Sequence, residues 1–341
     1  MMIRIKLMIK KILFAVVSLL MVISPLMSAE NADIKLINAL NYHKGMFEAA
    51  RGEVYLKIPL GSESAAVGGD EQDVERYTPG VPYAFRAVEN GVWILDSANK
   101  ALKLFGSDGK LQKSISIAEY GPVIRDFAFD GDKGFWLLSP TDGFIYRIDM
   151  TGKMISQIEG FSGARAIETG PMEELLVDLP TMGAILRFNK EEMLKEEYPC
   201  DESLSLIEGV GGKLMVLEVS DKKADLLLRN TASPAENIPL YKFPLDIEDP
   251  AVKYVGSQVI GQDKEGNYYL SLVACHEESG AIYRDRIYRC TAAGRPTAHK
   301  DIIVFPSSSF DLPRDRVVTP DGRVMTFHVE GNDYVLSVYN L

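Results

Sequence analysis

Three arginines, Arg86, Arg165 and Arg316, head similar four-residue blocks with an apolar middle. Arg125 stands two residues before another such block, and Gln258 heads a fifth. A guanidinium offers a rigid fork of donors that matches the oxygens of a carboxylate or phosphate. Arg86, Arg125, Arg165, Arg316 and Gln258 are therefore the candidate ligand-binding residues, for an anionic group. The competing use is internal, with each arginine paired to a neighbouring acid. Glu89, Asp130, Glu168 and Glu208 share one place at the far end of the blocks. Hard cations take about six to eight oxygen ligands, so four carboxylates in a column raise the question of calcium. Acids are equally common before turns, where their side chains bond the local backbone. The four histidines, His43, His276, His299 and His328, are too scattered for a zinc set; only His276 and His328 fall near a strand end. No Gly-x-Ser-x-Gly elbow, phosphate loop or dinucleotide fingerprint occurs. No catalytic residue, metal ligand or cofactor is assigned.

These residues sit in a repeat. The blocks are Arg86–Glu89, Phe127–Asp130, Arg165–Glu168, Ser205–Glu208, Gln258–Gly261 and Arg316–Thr319. A turn follows each, marked by Gly91, Gly134, Gly212, Gly266 or Gly322, with Glu173 in the third copy. Glycine suits a tight hairpin that needs positive φ. Two residues later stands a large apolar side chain: Trp93, Trp136, Leu175, Leu214, Tyr268 or Val324. Trp93, Trp136 and Tyr268 share this position and read as packing between blades rather than a sugar platform. A third column runs Leu102–Phe105, Ile145–Ile148, Ile185–Phe188, Leu226–Arg229, Ile287–Cys290 and Leu336–Tyr339. A turn residue follows every copy.

Fourth strands are expected at, for example, Leu111–Ile117, Met154–Ile158 and Ile302–Phe305. The last copy has none, because the chain ends at Leu341, while a spare strand, Glu53–Leu60, precedes the first copy. One missing strand and one spare imply a closed ring, the way propellers dispose of edge strands. The expected fold is all-β: a six-bladed propeller of four-stranded antiparallel blades over residues 53–341, closed by the N-terminal strand 53–60. Residues 61–79 read as an acidic connector, and 241–257 and 306–314 as long insertions.

The repeat resembles the NHL-type six-bladed propellers, best over Gly91–Lys110 and Gly134–Lys153, with Asp96 and Asp178 where that family ends its second strand in Asp. The resemblance is one of fold. It implies a platform for protein interaction, and folds host many activities.

Ahead of the repeat, Arg4, Lys6, Lys10 and Lys11 precede an apolar run over residues 12–27 and the small residues Ser28 and Ala29. That order makes residues 1–29 a secretory signal peptide, with 30–52 as a lead-in. Without 1–29, which hold four bases and no acid, 33 bases face 48 acids, a net charge of −15. Such a chain is a poor match for nucleic acid, and no membrane span is expected after cleavage. Of the cysteines Cys200, Cys275 and Cys290, Cys290 stands at an apolar repeat position and should be a small buried hydrophobe.

The functional expectation is an exported protein, periplasmic or secreted, with a non-enzymatic binding or scaffold role. Its partner would be a protein or an anionic small molecule. The alternative is a propeller enzyme of lactonase or lyase type with a metal at the channel mouth.

Overall fold

The computed structural model describes residues 52–68, 82, 84–170, 173–199, 204–229, 237–302 and 315–341. Signal segment 1–29, most of lead-in 30–52, Cys200 and insertion 306–314 lie outside them.

Each sheet is one run of hairpins, so consecutive strands pair antiparallel. Blade 1 comprises Ala84–Val88, Gly91–Asp96, Ala101–Gly106 and Leu111–Ser116, from the axis outward. Blade 2 comprises Asp126–Phe129, Gly134–Ser139, Phe144–Asp149 and Met154–Glu159. Blade 3 comprises Ala166–Thr169, Leu175–Leu179, Ala184–Phe188 and Leu194–Pro199. Blade 4 comprises Leu204–Glu208, Leu214–Ser220, Lys223–Arg229 and Ile238–Pro244. Blade 5 comprises Val252–Gln262, Tyr268–His276, Ile282–Cys290 and Pro296–Asp301. Blade 6 has Arg316–Val318, Val324–Glu330 and Asp333–Tyr339, and takes Glu53–Pro59 as its outer strand. The protein is a six-bladed β-propeller.

Burial follows from that layering. Second strands lie between neighbouring blades and are buried on both faces, as in Gly91–Asp96 and Gly134–Ser139. They therefore read as continuous apolar runs. Outer strands such as Met154–Glu159 are mostly exposed and mix polar with apolar residues.

Closure is by the N-terminal strand, in register from Glu53 opposite Val338 to Pro59 opposite Asp333. Leu56 and Ile58 are buried with Phe85, Val92 and Phe105 of blade 1, so this strand seals the seam between blades 6 and 1. Lys57 pairs with Glu330 across the same sheet. The first half of the acidic connector is docked rather than loose. Ala66 and Val67 are buried. Gly68 N–H donates to Asp96 Oδ1 at 3.0 Å, and Lys103 Nζ reaches Ala66 O at 2.6 Å. Residues 69–79 lie outside the described residues.

Six apolar clusters occupy the six seams, one each. Among the described residues the seam between blades 4 and 5 is the largest, with fifteen buried apolar residues. Those between blades 3 and 4 and between blades 5 and 6 have seven and six among the described residues.

The structure corrects several details of the repeat. Blade 5 takes its outer strand from Pro296–Asp301, not 302–305. That segment is largely polar, which an edge strand tolerates, so a search for apolar runs passes over it. The insertion at 241–257 is mostly strand; only 245–251 lies between the outer strand of blade 4 and the inner strand of blade 5. The turn glycines serve two purposes. Gly322 has φ +80° and meets the expectation of positive φ. Gly134 does not; a Cβ there would lie 1.8 Å from Ile148 O, so glycine is needed for close approach of two strands. This difference shifts the alignment by one residue. Trp93 lies opposite Leu104, Trp136 opposite Arg147, and Tyr269 opposite Arg289. Tyr268 instead lies opposite Cys290. The shared aromatic column is thus Trp93, Trp136 and Tyr269, and all three side chains are buried.

Candidate anion-recognition site

The same shift reorders the arginines. Arg125 N–H donates to Leu138 O and Arg165 N–H to Asp178 O, each at 2.8 Å, at the equivalent point just before the inner strands of blades 2 and 3. Arg125 and Arg165 therefore share one register on adjacent blades. Arg316 lies two residues further along its inner strand, opposite Thr326, and Arg86 three residues further, opposite Trp93. A strand alternates faces at each residue, so an odd offset turns a side chain to the other side. Arg86, Arg165 and Arg316 are not at one height, although each heads a block of the repeat.

Arg86 and Arg316 are committed to carboxylates. Arg86 Nη2 donates to Asp126 Oδ1 at 3.2 Å and lies 3.9 Å from Glu168 Oε2. Its guanidinium stacks over Phe127, 5.1 Å from the ring centroid. The other oxygen of the fully buried Asp126 accepts from Ile167 N–H at 3.0 Å. One arginine from blade 1 and one aspartate from blade 2 thus tie into the inner strand of blade 3. Arg316 makes a two-pronged pair with Asp285, both contacts 2.9 Å, and also meets Ser271. Burial works against its charge, but Asp285 and Asp315 hold its pKa above the ordinary arginine value.

Arg165 is built differently. Its Nε bonds the buried Asp178 Oδ2 at 2.6 Å, while the side chain remains 47% exposed. That single bond fixes the guanidinium from behind and leaves its outer edge toward solvent. Arg125 is half-buried beside it in register, and the Asp126–Ile167 bond locks the two inner strands that follow these arginines. Gln258 is half-buried on blade 5, opposite Ser271, at the inner-strand position next to the Arg125–Arg165 level.

The carboxylate column has a structural use. Asp130 takes two bonds from Arg147, at 2.8 and 3.0 Å. Glu208 lies 2.6 Å from Arg187. Glu168 faces Arg86, and Glu89 is exposed. Arg147, Arg187 and Arg289 all occupy the third place of the third column, as in Ile-Tyr-Arg-Ile, and Arg289 lies 3.7 Å from Asp263. Sequence reasoning passed over this basic column, although its periodicity was visible. Arg187 sits among Glu174, Glu196 and Glu208, and burial pushes the Glu208 carboxyl above its ordinary value. Among the described residues no three His, Cys, Asp or Glu side chains gather as a metal site. No helix among them is long and apolar enough to cross a membrane.

No family model matches the chain, and no curated protein matches it. Solved structures of similar trace include a candidate exported protein of Bacteroides fragilis, at 9% identity and a TM-score of 0.49, covering 84% of this chain and 94% of that one. A DUF4221-family member from Bacteroides vulgatus gives 11% and 0.48, covering 86% and 98%. Virginiamycin B lyase from Staphylococcus aureus gives 14% and 0.46, covering 83% and 98%. At these values the likeness carries no activity across.

Proposed function

We propose that this is an exported, non-enzymatic binding propeller that recognises an anionic group, on a protein partner or small molecule, at the mouth where the inner strands begin. Arg125 and Arg165 are the contact residues; Arg86 and Arg316 are held by Asp126 and Asp285, and Gln258 stands on blade 5. The observation that carries the reading is the shared register of Arg125 and Arg165 on adjacent blades, with Arg165 aimed outward by Asp178. A basic pair on a chain of net −15 once residues 1–29 are removed is a local contrast that would orient an acidic partner. The basic head and apolar run of residues 1–29 support export. A binding role is favoured over a metal-dependent lactonase or lyase because Asp130 and Glu208 already serve arginines.

Calorimetric titration with an octaglutamate peptide tests this. Replacing both Arg125 and Arg165 with Gln should weaken binding at least tenfold, since each charge-assisted bond is worth roughly 1.5–3 kcal/mol when shielded. The melting temperature should hold. Equal affinity for the double variant and the wild type would remove the proposal.

A further inference from the structure

Blade 5 is longer than the rest. Its inner, second and third strands have 11, 9 and 9 residues, and they rise together beyond the mouth. On the face of its third strand toward blade 4, Arg284, Arg286 and Tyr288 succeed one another at every second residue. Tyr288 packs on Phe243 of blade 4, ring centroids 4.7 Å apart, and Arg286 lies over Tyr288. Arg284 is buried against Tyr254, whose hydroxyl lies within reach of its guanidinium. Two guanidinium groups at alternate residues of one strand stand about 7 Å apart.

One carboxylate serves both. Asp246 accepts from Arg284 Nη1 and lies 3.6 Å from Arg286 Nη1. It comes from 245–251, the stretch without regular structure between blades 4 and 5, and its side chain is 62% exposed. Arg286 has a second acid, Asp301, in the neighbouring strand. Arg284 has none such. Its Nε and Nη2 are buried with no hydrogen-bond partner among the described residues. Nε and Nη2 form the edge of a guanidinium that grips two oxygens at once. No carboxylate occupies that edge, while Asp246 touches only the far nitrogen. A nearly buried cation whose main acceptor is an exposed surface aspartate is an incomplete ion pair.

We propose that Arg284 and Arg286 form an oxyanion site in the seam between blades 4 and 5, filled in the free protein by Asp246 and taken by a phosphate or carboxylate group that displaces it. Asp246 acts as a built-in competitor: its swing outward uncovers Nη1 of both arginines, and the incoming group adds the bidentate edge that Asp246 leaves unused. The site is independent of Arg125 and Arg165 and does not rest on the function proposed for them.

The test is calorimetric titration with inorganic phosphate and, separately, succinate, at fixed ionic strength in chloride. Asp246→Asn removes the competitor, and its affinity for at least one of the two should exceed the wild type's at least tenfold. Adding Arg284→Gln or Arg286→Gln to that variant should abolish the gain; adding Arg165→Gln should leave it intact. A response to phosphate alone or succinate alone supports the site and names its ligand class. No gain in Asp246→Asn overturns the proposal. A gain that survives Arg284→Gln means an adventitious ion only, and also overturns it. Should Asp246→Asn unfold in chloride, recovery of its near-UV circular dichroism in phosphate or succinate supports the site, and failure to recover in either overturns it.

Discussion

The seam between blades 4 and 5 and the seam between blades 3 and 4 are held by different forces. The first buries fifteen apolar residues among the described residues, Phe243, Tyr254, Tyr268 and Leu270 among them, and carries charge where Arg284 and Arg286 meet Asp246. The second has seven among the described residues, and beside them a buried cluster in which Arg187 meets Glu174, Glu196 and Glu208, with Lys195 on Glu174. An apolar seam tolerates loss in proportion to the volume removed. A charged seam responds all at once, because deleting one partner leaves the others buried without compensation. The ring therefore has joints that differ in kind, and the charged ones should be the sensitive ones to pH and salt.

The largest effect is expected at the apolar closing joint between blades 6 and 1. Deleting residues 53–60 opens that seam and removes the partner of Asp333–Tyr339. The protein should aggregate or melt far below the wild type, and a truncated chain with the wild-type melting curve would show that closure is not by this strand.

Next come two substitutions of similar cost but different character. Phe243→Ala should cost about 3–5 kcal/mol in urea unfolding through the cavity it leaves. Arg187→Met should cost about 3–5 kcal/mol because three carboxylates lose their common cation. Adding Glu208→Gln should recover part of the Arg187→Met loss and none of the Phe243→Ala loss. Equal recovery in both would erase the distinction between the seams.

A smaller effect separates them by pH. Burial raises the folded-state pKa of Glu208 above the ordinary 4.5. The stability contributed by its neutral form is fully present below about pH 4.5 and is lost as pH rises through the higher folded value. Glu208→Gln should thus melt at or above the wild type near neutral pH. That advantage should vanish below about pH 4.5. A clear loss at neutral pH would mean that the bond to Arg187 outweighs desolvation.

The smallest effect is chemical. Cys290 is fully buried in the seam between blades 4 and 5, and burial raises its thiol pKa to about 12. Native labelling should spare it until the seam opens, while Cys275, half-buried with a pKa of about 11, should react sooner. The reverse order would argue against the packing described.

Much of this was legible in the chain. Six copies of an apolar block, a turn and a second apolar run could not be mistaken for helices. The strand at 53–60 had no partner but the last blade. What failed was register. Gly91 and Gly134 lie opposite Gly106 and Asp149, inside their strands, whereas Gly322 lies in the turn itself. Aligning all of them as turn residues slipped blades 1 and 2 by one position. That slip misplaced Tyr268 for Tyr269 and makes up one of the three residues that separate Arg86 from the Arg165 level. The pairing of Arg86 with Asp126 joins different blades, and neither spacing nor residue type reveals which acid a channel arginine will meet.

The central claim is that the mouth presents Arg125 and Arg165 to an anionic partner. A crystal structure with octaglutamate bound tests it most directly. A carboxylate is expected about 2.7–3.2 Å from a terminal nitrogen of Arg165, with Arg125 facing the same group and Asp178 still bonded to Arg165 Nε. A peptide seated elsewhere on the ring, with Arg165 untouched, would contradict it.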